Sequence, residues 1–146
     1  MQRRLNCVLL IDDDEPTNFL SRMLIEEANC TQHIQVVQSG QDALSYIKNS
    51  ERFTGKNKNL PTPDLIFLDI NMPAMNGWEF LAKYAELEKR QKDKIIMVML
   101  TTSLDPDDEV KAKNIAEVTD FRRKPLTKKM VDEILETYFA GEVPEN

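Results

Sequence analysis

The chain has 146 residues, 41% apolar and 30% charged content and a formal net charge of −6, which fits one globular domain with a sizeable core. The acidic balance argues against general nucleic-acid binding, and no apolar stretch approaches the roughly 20 residues that cross a bilayer. Met1-Gln2-Arg3-Arg4 meets a strand-length apolar run rather than a signal-peptide core, and Cys7 and Cys30 fit no metal spacing, so both read as reduced thiols of a cytoplasmic protein.

A first strand is expected from about Leu5 to Ile11, ending in Asp12-Asp13-Asp14. Pro16 suits the first turn of a helix, on which Phe19, Leu20, Met23, Leu24 and Ala28 form an apolar stripe. Ile34 to Val37 reads as a short second strand, begun by His33, which is expected to be a surface or core residue rather than a ligand. Ser39-Gly40 turns into a helix bearing Ala43, Leu44 and Ile47. The polar stretch 49–63 is long for a helix-to-strand loop, where roughly 2–6 residues are usual. It leads to the amino end of the next strand, so it should lie opposite any site at the carboxyl ends, as a surface insertion.

Leu65 to Leu68 forms the third strand, closed by Asp69, and Asn71-Met72-Pro73-Ala74-Met75-Asn76-Gly77 is rich in turn signals. A helix with Trp78, Leu81 and Ala85 should continue to about Arg90. The fourth strand, Ile96 to Leu100, ends in Thr101-Thr102-Ser103, and Asp105-Pro106 opens a helix with a thin apolar face of Val110, Ala112, Ile115 and Ala116. The last strand should end near Phe121, before Arg122-Arg123-Lys124-Pro125. From Thr127 a final helix places Val131, Ile134, Leu135 and Tyr138 at i, i+3, i+4 and i+7. The tail, 141–146, reads as flexible, leaving one domain over 1–140 with no output domain.

Five strands alternating with five helices give a three-layer, doubly wound parallel α/β sheet. The pattern leaves the strand order open. In such sheets ligands bind beyond the carboxyl ends of the strands, which is where Asp12, Asp13 and Asp69 fall. Three converging carboxylates repel, and one stays protonated at pH 7 unless a cation sits among them. Mg²⁺ suits such a site, because it prefers oxygen ligands and keeps several waters. Asp14 and Glu15 read as solvated or helix-capping acids. A carboxylate such as Asp69 can attack a phosphoryl group to form an acyl phosphate. The charge on the transferring group must then be neutralised, and Lys124 and Thr101 are placed to contribute.

In this order, at these strand ends, the residues resemble the receiver domains of two-component response regulators, the chemotaxis receiver among them. The resemblance runs from Leu5 to about Phe139. Asp12 and Asp13 match the acidic pair, Asp69 the phosphoacceptor, Thr101 the switch hydroxyl, Phe121 the aromatic switch and Lys124-Pro125 the Lys-Pro pair. It implies a strand order of 2-1-3-4-5 and a cis peptide before Pro125. It further implies Mg²⁺ held by Asp12, Asp13, Asp69 and the Asn71 main-chain carbonyl. The phosphoryl group would come from a phosphohistidine on a sensor histidine kinase or phosphotransfer protein. Slow self-hydrolysis would make the chain a switch rather than a turnover enzyme.

Because the last helix nearly reaches the end of the chain, a stand-alone receiver is expected. It would act through an unknown downstream protein, with a homodimer open and no direct DNA or membrane binding. Two positions depart from the usual pattern. Thr102 is often smaller, and here could hinder water or small donors from reaching Asp69. Phe121 lacks the tyrosine hydroxyl, so it can signal only through packing. An aspartyl-phosphate phosphohydrolase would need a second acid where Asn71 stands. A flavin carrier would need a phosphate loop where Asp12-Asp13-Asp14 would repel the phosphate. A degenerate receiver is disfavoured because the key side chains are all present.

Overall fold

The computed structural model describes residues 5–55, 59–92 and 94–140. The element order is β1 (Val8–Ile11), α1 (Glu15–Ala28), β2 (Ile34–Val37), α2 (Gly40–Asn49), α3 (Glu51–Thr54), β3 (Leu65–Asp69), α4 (Gly77–Tyr84), α5 (Lys89–Lys92), β4 (Ile96–Thr101), α6 (Pro106–Lys113), β5 (Asp120–Arg123) and α7 (Lys128–Phe139). The five strands are parallel, in the order β2-β1-β3-β4-β5.

Every residue of β1 and β3 is buried, as continuous apolar runs require when helices cover both faces. Alternate residues feed two cores. Leu9, Ile11, Ile66, Leu68, Met97 and Met99 face α2, α4 and Ala112 of α6. Val8, Leu10, Leu65, Phe67, Val98 and Leu100 face Ile25 of α1 and Val131, Ile134, Leu135 and Phe139 of α7. Both cysteines are buried and neither forms a disulfide, and burial pushes the Cys7 thiol up to about 12. Among the described residues no helix is long and apolar enough to cross a membrane.

Several boundaries differ from the sequence-based expectation. There are seven helices among the described residues rather than five. The helix after β3 stops at Tyr84, not near Arg90. Its end is held by Lys92, whose ammonium donates to the carbonyls of Ala85 at 2.9 Å and Tyr84 at 3.3 Å and lies 3.5 Å from Glu117. Those carbonyls are among the groups that a helix end leaves without a partner inside the helix. The stretch 49–63 is partly ordered by α3. Thr62 Oγ1 accepts the Arg52 N–H at 2.9 Å, and the Glu51 N–H donates to the Leu60 carbonyl at 2.8 Å. It lies at the amino end of β3, opposite the acidic cluster. Leu5 makes only an isolated bridge to Thr31, so β1 starts at Val8. Pairing of β5 starts with Val98↔Asp120, so this edge strand runs through Arg123 rather than ending near Phe121. The Arg122 guanidinium is matched there by Asp120 at 2.9 Å and Glu133 at 2.7 Å. α6 closes at Lys113, before Ile115 and Ala116.

The largest departure is α1. Phe19, Leu20 and Met23 are 65%, 59% and 42% exposed, so much of the apolar stripe faces outward. The inward positions belong to Asn18, Ser21 and Ile25. Asn18 Nδ2 donates to the Asp12 carbonyl at 2.8 Å, which satisfies a buried polar group next to the acidic cluster. The tail 141–146 lies outside the described residues.

The Tyr84 carbonyl also accepts the Leu87 N–H at 3.0 Å, so removing the Lys92 ammonium chiefly takes away the 2.9 Å partner of the Ala85 carbonyl. Lys92→Met should destabilise the fold by about 1–3 kcal/mol, read as a lower urea midpoint at unchanged m-value. An unchanged midpoint would show that α4 ends for another reason.

Candidate functional site

Strand register brings the site together. Ile11 pairs with Leu68, so Asp12 and Asp69 emerge side by side from β1 and β3. Asp69 pairs with Leu100 and is followed across the sheet by Thr101, which pairs with Arg123, just before Lys124. Asp12, Asp13 and Asp69 each offer a carboxylate oxygen, and these lie within 4.8 Å of one another. Asp12 and Asp69 are buried and Asp13 is exposed.

Lys124 bridges the two buried acids. Its Nζ lies 2.6 Å from Asp12 Oδ2 and 3.1 Å from Asp69 Oδ1. Burial pulls the ammonium's pKa down, but hydrogen bonds and charge from Asp12 and Asp69 outweigh it and hold Lys124 above its usual value. Burial, reinforced by the Asp12 charge, pushes Asp69 above the ordinary carboxylate range, and Lys124 offsets this only in part. One ammonium therefore leaves three clustered carboxylates under-neutralised. An all-oxygen donor set with excess negative charge fits a hard divalent cation.

The remaining expected residues fall around this centre. Asp14 caps α1, its carboxylate accepting the Thr17 N–H at 3.1 Å, and its own N–H donates to Asp12 Oδ1 at 3.0 Å. Thr101 is fully buried at the end of β4, its Oγ1 accepting the Ser103 N–H at 2.9 Å. Asn71 is exposed, two residues after Asp69 in the β3–α4 loop. Lys124-Pro125 is a cis peptide. Phe121 is half-buried and packs against the α2–α4 core. Thr102 is exposed and lines a groove of about 440 Å³ with Lys124, Pro125 and Leu126 on one side and Leu20, Met23 and Leu24 of α1 on the other.

Three local features around the site were not singled out from sequence. Gly77 opens α4 directly against the end of β3, its N–H donating to the Ile70 carbonyl at 2.7 Å. A Cβ there would lie 2.7 Å from the Asp69 carbonyl oxygen and 2.9 Å from Ile70 Cα. The Asn76-Gly77 pair signals a turn but does not reveal this close approach. Ala74 takes φ +66° in a tight turn that joins the Met75 N–H to the Pro73 carbonyl at 2.7 Å. Ser103 and Arg123 also meet beside Thr101, the Arg123 guanidinium donating to the Ser103 carbonyl.

The family model described as "Response regulator receiver domain" matches residues 8–136. The chain belongs to this family. The resemblance read from the strand-end residues and the expected 2-1-3-4-5 order therefore agree with both comparison and structure. Among curated relatives, hybrid signal transduction histidine kinase L of Dictyostelium discoideum is 29% identical over 90% of this chain, which spans 7% of that protein. Response regulator Rcp1 of Synechocystis is 29% identical over 70% of this chain and is spanned to 66%. Among solved structures, a two-component response regulator from Cytophaga hutchinsonii aligns with a TM-score of 0.82 at 33% identity, covering 94% of this chain and 99% of that one. Receiver domains are signalling switches, and this chain has the fold of one.

Backbone crowding at Gly77 has a direct consequence. Gly77→Ala should lower stability by about 1–3 kcal/mol. Gly40→Ala should cost less, because its new methyl would meet the flexible Met75 side chain, with Sδ at 2.7 Å. Chemical denaturation of the two variants checks the order, and equal losses would contradict it.

Proposed function

We propose that this receiver domain is a phosphorylation-activated switch. It takes a phosphoryl group onto Asp69 from a phosphohistidine of a histidine kinase or phosphotransfer protein, with Mg²⁺, and signals through protein contacts. The observation that carries this reading is the clustering of Asp12, Asp13 and Asp69, two of which, Asp12 and Asp69, pair with one ammonium, Lys124. A carboxylate oxygen of Asp69 attacks phosphorus, the P–N bond to the imidazole breaks, and the imidazole leaves with that electron pair. Asp12, Asp13, Asp69 and the Asn71 carbonyl would hold the metal, which supplies positive charge to the phosphoryl oxygens when bound. Curated relative Rcp1 has been crystallised in a Mn²⁺-bound form. Lys124 pairs with a second oxygen, and Thr101 turns to donate its hydroxyl to a third.

The same reading gives the exposed face of α1 a purpose. Leu20 and Met23 line the groove that runs to Thr102 and to Lys124, the partner of Asp69, and Phe19 is exposed on the same helix. A donor helix carrying a phosphohistidine, with apolar residues one turn away, can bury its side in that groove while its imidazole reaches Asp69. Phe121, and α6 with its single buried residue Ala112, then form the face that reports phosphorylation.

Incubation with phosphoramidate and Mg²⁺, followed by intact mass, should show one added phosphoryl group that hydroxylamine removes. Asp69→Asn should add none, and equal labelling of that variant would overturn the assignment.

The docking surface makes a separate prediction. Leu20→Lys with Met23→Lys should slow transfer from a phosphorylated phosphotransfer protein at least about tenfold, as loss of an apolar anchor does. Labelling by phosphoramidate should not change. A parallel loss with both donors would place the defect in the site rather than in docking.

A further inference from the structure

Ser103 occupies the junction between the switch hydroxyl and every element expected to respond to it. Its N–H donates to Thr101 Oγ1 at 2.9 Å. Its hydroxyl donates to Asp108 Oδ2 of α6 at 2.6 Å and accepts the Asp105 N–H at 3.2 Å. Its carbonyl accepts from the Arg123 guanidinium, which also lies 5.8 Å from the centre of the Phe121 ring. The partner of Arg123 across the sheet is Thr101 itself.

We propose that Ser103 and Arg123 are positioning residues that latch the β4–α6 loop in its resting place and so set how readily Thr101 can turn toward a phosphoryl group. The latch rests on the reading of Asp69 as the phosphoacceptor. For Thr101 to leave Ser103, the N–H of the half-buried Ser103 must find another acceptor or stay unpaired, which is costly. The loop is therefore driven to move when Thr101 turns. Its ties to Asp108 and Arg123 oppose that movement and carry it onward, one to α6 and the other to β5 and the Phe121 ring. A two-state element biased by both the phosphoryl group and these ties is the physical basis of coupling.

The structure also supplies a reporter. Trp78, the single tryptophan, lies under the Lys111 ammonium of α6 at 4.5 Å from the ring centre. Displacement of α6 separates the two and changes the Trp78 emission.

The test is a beryllofluoride titration in Mg²⁺, read by Trp78 fluorescence, on the parent, Ser103→Ala, Arg123→Met and Arg123→Lys. Losing one tie should lower the midpoint about three- to tenfold, the equivalent of one net hydrogen bond, with Arg123→Lys restoring part of the shift. A variant that merely loosened the fold would raise the midpoint or flatten the transition. Amide exchange of the unliganded proteins gives a readout independent of phosphoryl chemistry. Arg123→Met and Ser103→Ala should both speed exchange at 103–113 and leave β1 and β3 protected. Unchanged midpoints and unchanged exchange, in variants whose parent responds to beryllofluoride, overturn the latch alone. A parent that does not respond overturns the latch together with the phosphoacceptor reading.

Discussion

Lys124 is held by two carboxylates from different strands, and the chemistry of the domain depends on that contact. Asp12 ends β1, Asp69 ends β3, and the ammonium spans them at 2.6 and 3.1 Å. Two buried acids at this separation cannot both ionise without compensation. One lysine makes the pair tolerable without making it neutral, since Asp13 adds a third carboxylate. The site is thus stable enough to fold and still short of positive charge, the condition under which it can recruit a cation and then a phosphoryl group.

The surrounding structure serves that balance. Asn18 faces inward and donates to the Asp12 carbonyl, and the apolar stripe of α1 lies outward, beside the groove that leads to Lys124. Gly77 lets α4 begin against the Asp69 backbone. On the far side, the hydroxyl of Thr101 is tied through Ser103 to α6 and β5. On the reading proposed above, one pocket is served by an input face on α1 and an output face on α6 and β5.

Most of the architecture and the central acids were legible in the sequence, because the buried strands β1, β3 and β4 are apolar runs that stop at Asp12, Asp69 and Thr101. Strand order was not, since periodicity carries no information on neighbours; the family resemblance supplied it. The outward turn of Phe19 and Leu20 was hidden because the buried face of α1 sets Ile25 beside two polar residues, Asn18 and Ser21, with Asn18 tied to the Asp12 carbonyl. β5 was placed short because its charges are matched by Asp120 and Glu133 at a sheet edge. The single turns α3 and α5 are tied to groups outside themselves, α3 to the Thr62 hydroxyl and α5, through Lys92, to the Tyr84 and Ala85 main-chain carbonyls. Ser103 and Arg123 belong to no sequence pattern, and only their convergence on Thr101 marks them.

One lysine partly neutralises a carboxylate pocket that a second cation would complete. Thermal unfolding of the parent and Lys124→Met, each with and without Mg²⁺, tests it most directly. Without metal, Lys124→Met should be less stable by up to about 3–5 kcal/mol, because it leaves buried acids uncompensated. Mg²⁺ binds only the folded state, so it should raise both melting temperatures, and it should raise that of Lys124→Met by more. Equal shifts in the two proteins, or none in either, would contradict the claim.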